Sequence, residues 1–327
     1  MRLYIIQRVI YMVVILFVVS IITFIIIQLP PGDYVSSLVL ALESQGEPVQ
    51  LDRVAALRKQ YGLDLPAYQR YFHWMWGMAQ GDMGHSFAFN RPVAELIAER
   101  LPLTILVSLL TMLFVYLMAV PIGIYSAVKQ YSPGDYAFTF VGFIGLATPN
   151  FLLALILMFF SVKYFGVSVG GLFSTEYYLA PWSFAKFVDM LKHLPTPIIV
   201  IGTAGTAGLI RVMRGCMLDE LSKQYVITAR GKGLSERKLL WRYPVRIAVN
   251  PIISSVAWML PAIVSGETIT AIVLSLPTTG PLLFNALLSQ DTYLAGSTVM
   301  FLCMLTLVGT LISDILLVIV DPRIRYD

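Results

Sequence analysis

The chain has 327 residues, of which 57% are hydrophobic and 13% are charged. Soluble domains carry about 25% charged residues, so this composition excludes a water-soluble globular protein and predicts a surface that mostly faces lipid. The net charge of +4 is modest, and no polar module concentrates Lys and Arg, which argues against nucleic-acid binding.

The first apolar run, Val9–Leu29, follows Arg2 and Arg8. It exceeds the apolar core of a cleaved signal peptide, which spans about 7–15 residues, so we expect an uncleaved signal-anchor helix. A membrane-spanning helix needs about 20 apolar residues. Six segments approach or exceed that length, and they predict an all-α polytopic membrane protein with six transmembrane helices: Val9–Leu29, Leu103–Val128, Tyr136–Phe165, Pro197–Met213, Pro251–Leu274 and Leu294–Val320.

The distribution of Lys and Arg orients these six segments. The termini and the loops on their side hold 14 of these residues, and the opposite side holds nine. Six of those nine lie in a loop of about 70 residues, which is too long for the positive-inside rule to count. We therefore expect both termini in the cytoplasm. The predicted parts are 1–29 as the N-terminal transmembrane helix, 30–100 as an extracytoplasmic helical segment, 101–320 as a five-helix core and 321–327 as a cytoplasmic tail.

The extracytoplasmic segment has its own structure. Leu51–Tyr61 shows helical spacing, and Gly62 is placed to end that helix. Five aromatic residues follow within nine positions: Tyr68, Tyr71, Phe72, Trp74 and Trp76. Tyr and Trp favour the membrane–water boundary, so we expect contact with outer headgroups, with a core or partner-facing role as the alternative.

The longest cytoplasmic loop, residues 214–250, is strongly basic. Leu218, Leu221, Tyr225 and Ala229 predict one apolar stripe of a helix, which Gly231-Lys232-Gly233 interrupts. Ser235 is placed to cap a second helix. This helix–break–helix suits docking into a cleft, and a basic loop that rests on anionic lipid is the alternative.

Few polar groups point to chemistry inside the membrane. Glu267 and Thr268 lie in the fifth predicted span. A carboxylate inside the membrane is a candidate functional group, and the alternative is a structural carboxylate that hydrogen-bonds to a neighbouring group. Pro149-Asn150 predicts a kink or the lining of a polar cavity in the third span. His73, His85 and His193 are dispersed, and Cys216 and Cys303 are far apart, so we expect neither a metal site nor a disulfide framework.

The loop sequence Y-V-I-T-A-R-G-K-G-L-S-E-R, from Tyr225 to Arg237, is followed by R-I-A-V-N-P. It resembles the cytoplasmic coupling loop of permease subunits in binding-protein-dependent ABC importers, of the dipeptide/oligopeptide permease B type. Further matching blocks occur in order along the chain: Pro31-Gly32-Asp33, Tyr61-Gly62-Leu63-Asp64, the run from Gly81 to Phe87, Arg100-Leu101-Pro102 and Asp321-Pro322-Arg323. Departures from the family pattern are Gly231 in place of Ala, Tyr243-Pro244, Asn250, and Pro277-Thr278-Thr279-Gly280 after the fifth span.

The resemblance implies the type I permease fold of ABC importers and a subunit without chemistry or cofactors of its own. It implies a second homologous permease subunit, two cytoplasmic ATPase subunits, an extracytoplasmic solute-binding protein and a bacterial or archaeal cytoplasmic membrane. The chain contains no phosphate-cradling G-x-x-x-x-G-K-[ST] loop, in agreement with separate ATPases. The expected ATPase-coupling residues are Tyr225, Ala229, Arg230, Lys232, Gly233 and Leu234. The expected translocation path includes Asn150, Glu267 and Thr268.

The resemblance makes short peptides the expected cargo, with an oligosaccharide, an opine or a nickel chelate as alternatives. Two other classes remain open. A stand-alone secondary transporter predicts inverted repeats with paired broken helices, which the sequence does not display. An intramembrane enzyme predicts a nucleophile–base or metal-ligand constellation, which Glu267 alone does not supply.

Overall fold

The computed structural model describes residues 2–29, 32–44, 51–60 and 62–320, and the predicted tail 321–327 lies outside this range. These described residues form α-helices and no β-strand. The first helices in chain order are Arg2–Gln28 (α1), Tyr34–Ser44 (α2), Leu51–Gln60 (α3), Ala67–Gln80 (α4), Val93–Val128 (α5), Pro133–Ala147 (α6), Asn150–Phe160 (α7), Thr175–Tyr178 (α8) and Phe184–His193 (α9). The others are Pro195–Leu221 (α10), Gln224–Gly231 (α11), Glu236–Arg242 (α12), Pro244–Ala248 (α13), Asn250–Ser254 (α14), Val256–Val273 (α15), Thr279–Leu288 (α16) and Thr292–Val320 (α17).

Four stretches of the described chain are long and apolar enough to cross a membrane: Ile6–Gln28, Val93–Val128, Phe184–Leu221 and Thr292–Ile315. A bent pair, α6 with Asn150–Phe165, makes a fifth if it counts as one span. The predicted fifth segment, Pro251–Leu274, is divided here between α14 and α15 and does not enter this count. The count of six therefore stays a prediction.

The bent pair contains the kink that Pro149 predicts. Ser132 caps α6, because its hydroxyl accepts a hydrogen bond from the backbone N–H of Asp135 at 3.2 Å. Thr148 ends α6 in an extended conformation, as expected for a residue that precedes proline. The chain then turns by 103° into α7. The predicted kink is confirmed, and it divides the third segment into two short helices.

The chain separates into two compact units. Unit 1 contains residues 1–104 and 278–307, so α1–α4 and the first part of α5 share a unit with α16 and most of α17. One cluster in its core packs Phe24, Trp74 and Met300 together. The indole N–H of Trp74 donates to the hydroxyl of Ser297 at 3.3 Å, and both side chains are buried.

The aromatic run of α4 has one buried face and one exposed face. Trp74 is 4% exposed, and Tyr71 packs edge-on against Phe24 with ring centroids 5.3 Å apart. Phe72 and Trp76 are 66% and 68% exposed. One face of α4 therefore belongs to the core of unit 1, and the opposite face is free to meet headgroups or another protein.

Asp33 caps the start of α2. Its carboxylate accepts hydrogen bonds of 2.7 Å from both the backbone N–H and the hydroxyl of Ser36. Burial opposes ionisation of this carboxyl, but the hydrogen bonds from Ser36 and the nearby Arg58 outweigh it, so the pKa of Asp33 is lowered. The charged form of Asp33 is therefore the one that holds the turn.

Of the described residues, unit 2 contains 105–277 and 308–320, and α10 lies at its centre, packed against α6, α7, α9, α13, α14 and α15. Glycines also allow α10 to pack closely against α5: a Cβ on Gly202 would meet Phe114 at 2.8 Å, and one on Gly123 would meet Met213 at 2.6 Å. The small glycine and threonine side chains of the fourth predicted segment, Pro197–Met213, favour a position inside a helix bundle. Helix α10, which contains this segment, has that position in unit 2.

A buried ion pair fastens α6 to α10. Arg214 donates to the two carboxylate oxygens of Asp135 at 3.2 and 3.0 Å, and the Asp135 side chain is only 4% exposed. The backbone N–H of Tyr131 donates to the same carboxylate at 3.0 Å. Two-pronged pairing of this kind fixes both distance and orientation between the two helices.

Candidate functional site

The basic loop after α10 folds as a compact helical hairpin. Helix α10 ends at Leu221, and Lys223 takes an extended conformation before α11 starts. The expected stripe from Leu218 through Ala229 therefore does not lie on one helix. Leu218 and Leu221 belong to α10, whereas Tyr225 and Ala229 belong to α11, because the chain breaks at Ser222–Lys223.

The turn between α11 and α12 lies at the glycines, as expected. Gly233 has a φ of +76°, in the left-handed region where a Cβ is unfavourable. Its N–H donates to the carbonyl of Arg230 at 3.0 Å, and the N–H of Leu234 donates to that of Ala229 at 3.4 Å. Gly231 closes α11 with ordinary helical geometry. Gly233 is therefore the glycine that this turn requires.

The apolar side of α11 faces α12. Val226, Ala229 and Leu239 form a buried cluster, with Tyr225, Leu234 and Tyr243 packed around it. Val226 and Leu239 are fully buried, and burial of such a side chain is worth about 1.5–3 kcal/mol relative to exposure. Of the expected coupling residues, Tyr225, Ala229 and Leu234 thus belong to the packing of the hairpin, which leaves the polar face to a partner.

A two-pronged ion pair links the two helices at the exposed turn. Arg230 Nε donates to Glu236 Oε1 at 2.6 Å, and Arg230 Nη2 donates to Glu236 Oε2 at 3.1 Å. The hydrogen bonds from Arg230 lower the pKa of Glu236, and Glu236 raises the pKa of Arg230. Lys232 and Gly233 are also exposed. The turn therefore presents Arg230, paired with Glu236, beside Lys232 and an open glycine backbone.

Tyr225 ties α11 to the end of α10. Its hydroxyl donates to the carboxylate of Glu220. Burial, followed by this hydrogen bond, raises the pKa of Tyr225 above its usual value, so the hydroxyl keeps the proton that it donates. This hydrogen bond therefore connects the hairpin directly to the last turn of α10.

The expected path residues lie in two different helices of unit 2. Asn150 begins α7 directly after the kink and is half-buried. Glu267 and Thr268 lie in α15, where Thr268 is half-buried. The side chain of Glu267 lies outside the described residues, so its role stays a prediction.

Asp291 is a buried group that the sequence patterns did not single out. Its carboxylate accepts from the Ser86 hydroxyl at 2.6 Å and from the backbone N–H groups of Ala88 and Leu294, each at 3.1 Å. It therefore fastens the Gly81–Phe87 block to the start of α17. Asp291 directly precedes α17, and its carboxylate accepts from the N–H of Leu294 three residues later, as an N-cap residue does. An Asp at the start of an apolar helix is the signal that could have identified it.

Two family models match the chain. The binding-protein-dependent transport system inner membrane component matches residues 119–326, and the N-terminal membrane component of the same systems matches residues 1–109. A solved inward-facing structure of the MetNI methionine ABC transporter has a TM-score of 0.54 at 12% identity, covering 69% of this chain and 96% of that one. That likeness supports the type I permease fold.

Relatives match over the full length. Oligopeptide transport system permease protein AppB of Bacillus subtilis (strain 168) is 36% identical over 330 residues, with 100% of both chains covered. Inner membrane ABC transporter permease protein YejB of Escherichia coli O157:H7 is 30% identical, with 99% of both covered. The chain therefore belongs to the family of inner membrane components of binding-protein-dependent transport systems, whose members are permease subunits and not enzymes.

Proposed function

We propose that this chain is one of two homologous permease subunits of an ATP-driven importer, and that the α11–α12 hairpin docks into a groove of a cytoplasmic ATPase subunit. The observation that carries the proposal is the geometry of the hairpin. Its apolar residues are used internally, its turn is exposed, and Arg230 pairs there with Glu236 beside the exposed Lys232. An exposed turn with a net positive charge suits electrostatically guided docking into a cleft.

The proposed topology has six membrane crossings and both termini in the cytoplasm of a bacterial or archaeal cell. The basic loop supports this orientation through the positive-inside rule. The fifth crossing would combine α14 and α15. Residues 30–100 would form the extracytoplasmic helical segment, and residues 101–320 the permease core with the coupling loop 214–250.

The proposed cargo is short peptides delivered by an extracytoplasmic solute-binding protein. The names of the relatives support this choice, since AppB is described as an oligopeptide permease and several Brucella relatives as peptide permeases. Transport of an oligosaccharide, an opine or a nickel chelate in place of peptides would contradict the assignment of peptides as the cargo. It would not contradict the role of the chain as a permease.

Energy would reach the membrane helices through the hairpin. Closure of the two ATPase subunits would displace α11 and α12, and Tyr225 with Glu220 would transmit that displacement to α10. Because α10 packs against α7 and α15, its movement would rearrange the lining of the path, where we place Asn150, Glu267 and Thr268. Lys232 and Gly233 would contact the ATPase directly.

ATP-driven uptake of radiolabelled trialanine by proteoliposomes tests this proposal. Gly233→Asp should abolish uptake, because the added carboxylate opposes an anionic groove and a side chain blocks close backbone approach, while the subunit still inserts in the membrane. Gly166→Asp is the matched control, since Gly166 also has a positive φ of +65° and open space around it but lies outside the hairpin. Normal uptake by Gly233→Asp would refute the docking proposal.

A further inference from the structure

Unit 1 contains a cavity of about 500 Å³ that the coupling function does not use. Its lining comes from the end of α3, from α4, from the Gly81–Phe87 block and from α17. The side chains that define its chemistry are Lys59, Arg70, His73, His85, Phe87 and Tyr293. A volume between about 300 and 1,000 Å³ is typical of sites for small molecules.

Two cationic side chains, Lys59 and Arg70, line this cavity. Lys59 is exposed, and Arg70 is held in place because its Nη2 donates to the side-chain carbonyl of Gln28 at 3.0 Å. The Nε of Arg70 is buried without a hydrogen-bond partner in the described part of the chain. A partly desolvated guanidinium with an unused donor attracts an anion more strongly than one in water.

Nearby carboxylates leave an excess of positive charge. Asp33 interacts with Arg70 but is paired with Arg58 at 3.5 Å. Asp291 is turned toward Ser86 and backbone N–H groups. Asp82 accepts from the backbone N–H of Gly84 at 3.0 Å. The permanent charges of Lys59 and Arg70 are therefore compensated only in part, which matches a ligand with one negative charge.

Two aromatic side chains form an apolar wall of the cavity. Phe87 and Tyr293 contact each other edge to face, with ring centroids 5.4 Å apart. Gly84, with a φ of +77°, brings its backbone against Tyr293, where a Cβ would lie 3.2 Å from Cδ1. The wall is therefore fixed by close packing, and it offers apolar surface to the non-ionic part of a ligand.

We propose that this cavity binds a small ligand through a carboxylate held by Lys59 and Arg70, with the apolar part of the ligand against Phe87 and Tyr293. The C-terminal carboxylate of a short peptide has this chemistry. The statement that this ligand is the transported cargo rests on the function proposed above. The statement that the cavity binds a carboxylate does not.

Calorimetric titration of the purified transporter, without its soluble binding protein and without nucleotide, tests the proposal. The probes are trialanine, trialanine with a C-terminal amide, and inorganic phosphate. Trialanine should bind, and the amide should bind about tenfold more weakly or worse, because a charge-assisted hydrogen bond is lost. Phosphate should compete poorly. Equal binding of the peptide and its amide, or tighter binding of phosphate, would overturn the carboxylate assignment.

Two variants connect this binding to the cavity. Lys59→Met should weaken trialanine binding about tenfold, whereas Lys129→Met, which removes the same charge from an exposed position outside the lining, should not. Both residues are exposed, so both variants should fold. Equal affinities in the two variants would refute the site. The titration contains no ATP and therefore does not depend on coupling to an ATPase. Normal uptake by Gly233→Asp would refute the docking proposal and would leave the result of the titration unaffected.

Discussion

Two glycines of the coupling hairpin, Gly231 and Gly233, are separated by one residue and allow a matched test of its geometry. A Cβ on either Gly231 or Gly233 would meet no atom within 4 Å, so packing predicts no difference between them. Their backbones differ, because Gly233 has a φ of +76° and Gly231 is helical. A non-glycine residue in the left-handed region costs about 1–2 kcal/mol, whereas Gly→Ala in a helix gains up to about 1 kcal/mol.

Gly233→Ala should therefore open the hairpin about 5–30 times more often, and Gly231→Ala should not. Hydrogen exchange of the backbone amides of residues 224–242, followed by mass spectrometry, measures this opening directly. Faster exchange in Gly233→Ala alone is the expected result. Equal exchange in the two variants would refute the assignment of the turn to Gly233.

Three further predictions concern the scaffold. Asp135→Asn should lower the stability of the detergent-solubilised protein by about 3 kcal/mol, because it leaves Arg214 without its buried partner. Thermal unfolding measures this loss, and a double variant that removes the charges of both Asp135 and Arg214 should recover part of it. Trp74→Phe should cost about 1 kcal/mol through the lost hydrogen bond, while Trp76→Phe on the exposed face should cost nothing measurable; equal melting temperatures would contradict the packing of α4. The pKa of Asp33 is lower in the folded protein than its unfolded value of about 3.9, so ionised Asp33 stabilises the fold. This contribution is fully present above the unfolded pKa and is lost as pH falls through the folded pKa. Asp33→Asn keeps a capping side chain and should remove this pH dependence from melting curves recorded between pH 2 and 6.

Local signals in the sequence predicted local structure well. Pro149 predicted the kink between α6 and α7, and Gly62 has the left-handed conformation of a helix end, with a φ of +63°. The glycines of the fourth segment predicted close helix packing, which Gly202 shows against Phe114. In each case the cause lies in the residue itself or in its immediate neighbours.

Features that depend on distant residues were harder to predict. The break at Ser222–Lys223 carries no proline or glycine, so the periodic stripe appeared to continue through it. The inward packing of Val226 depends on Leu239, which lies beyond the turn. Similarly, Asp291 meets Ser86 across 205 positions of sequence, and no local pattern specifies that pairing.

Photo-crosslinking from the tip of the hairpin tests the central claim of docking to an ATPase most directly. Lys232→Cys, labelled with a photo-crosslinker in a Cys216→Ser, Cys303→Ser background, would be irradiated in native membranes, with Lys163→Cys as the control outside the loop. We predict that position 232, and not position 163, forms a covalent product with a protein that carries the phosphate-cradling G-x-x-x-x-G-K-[ST] motif, identified by mass spectrometry. Crosslinks from position 232 to lipid alone would contradict the account.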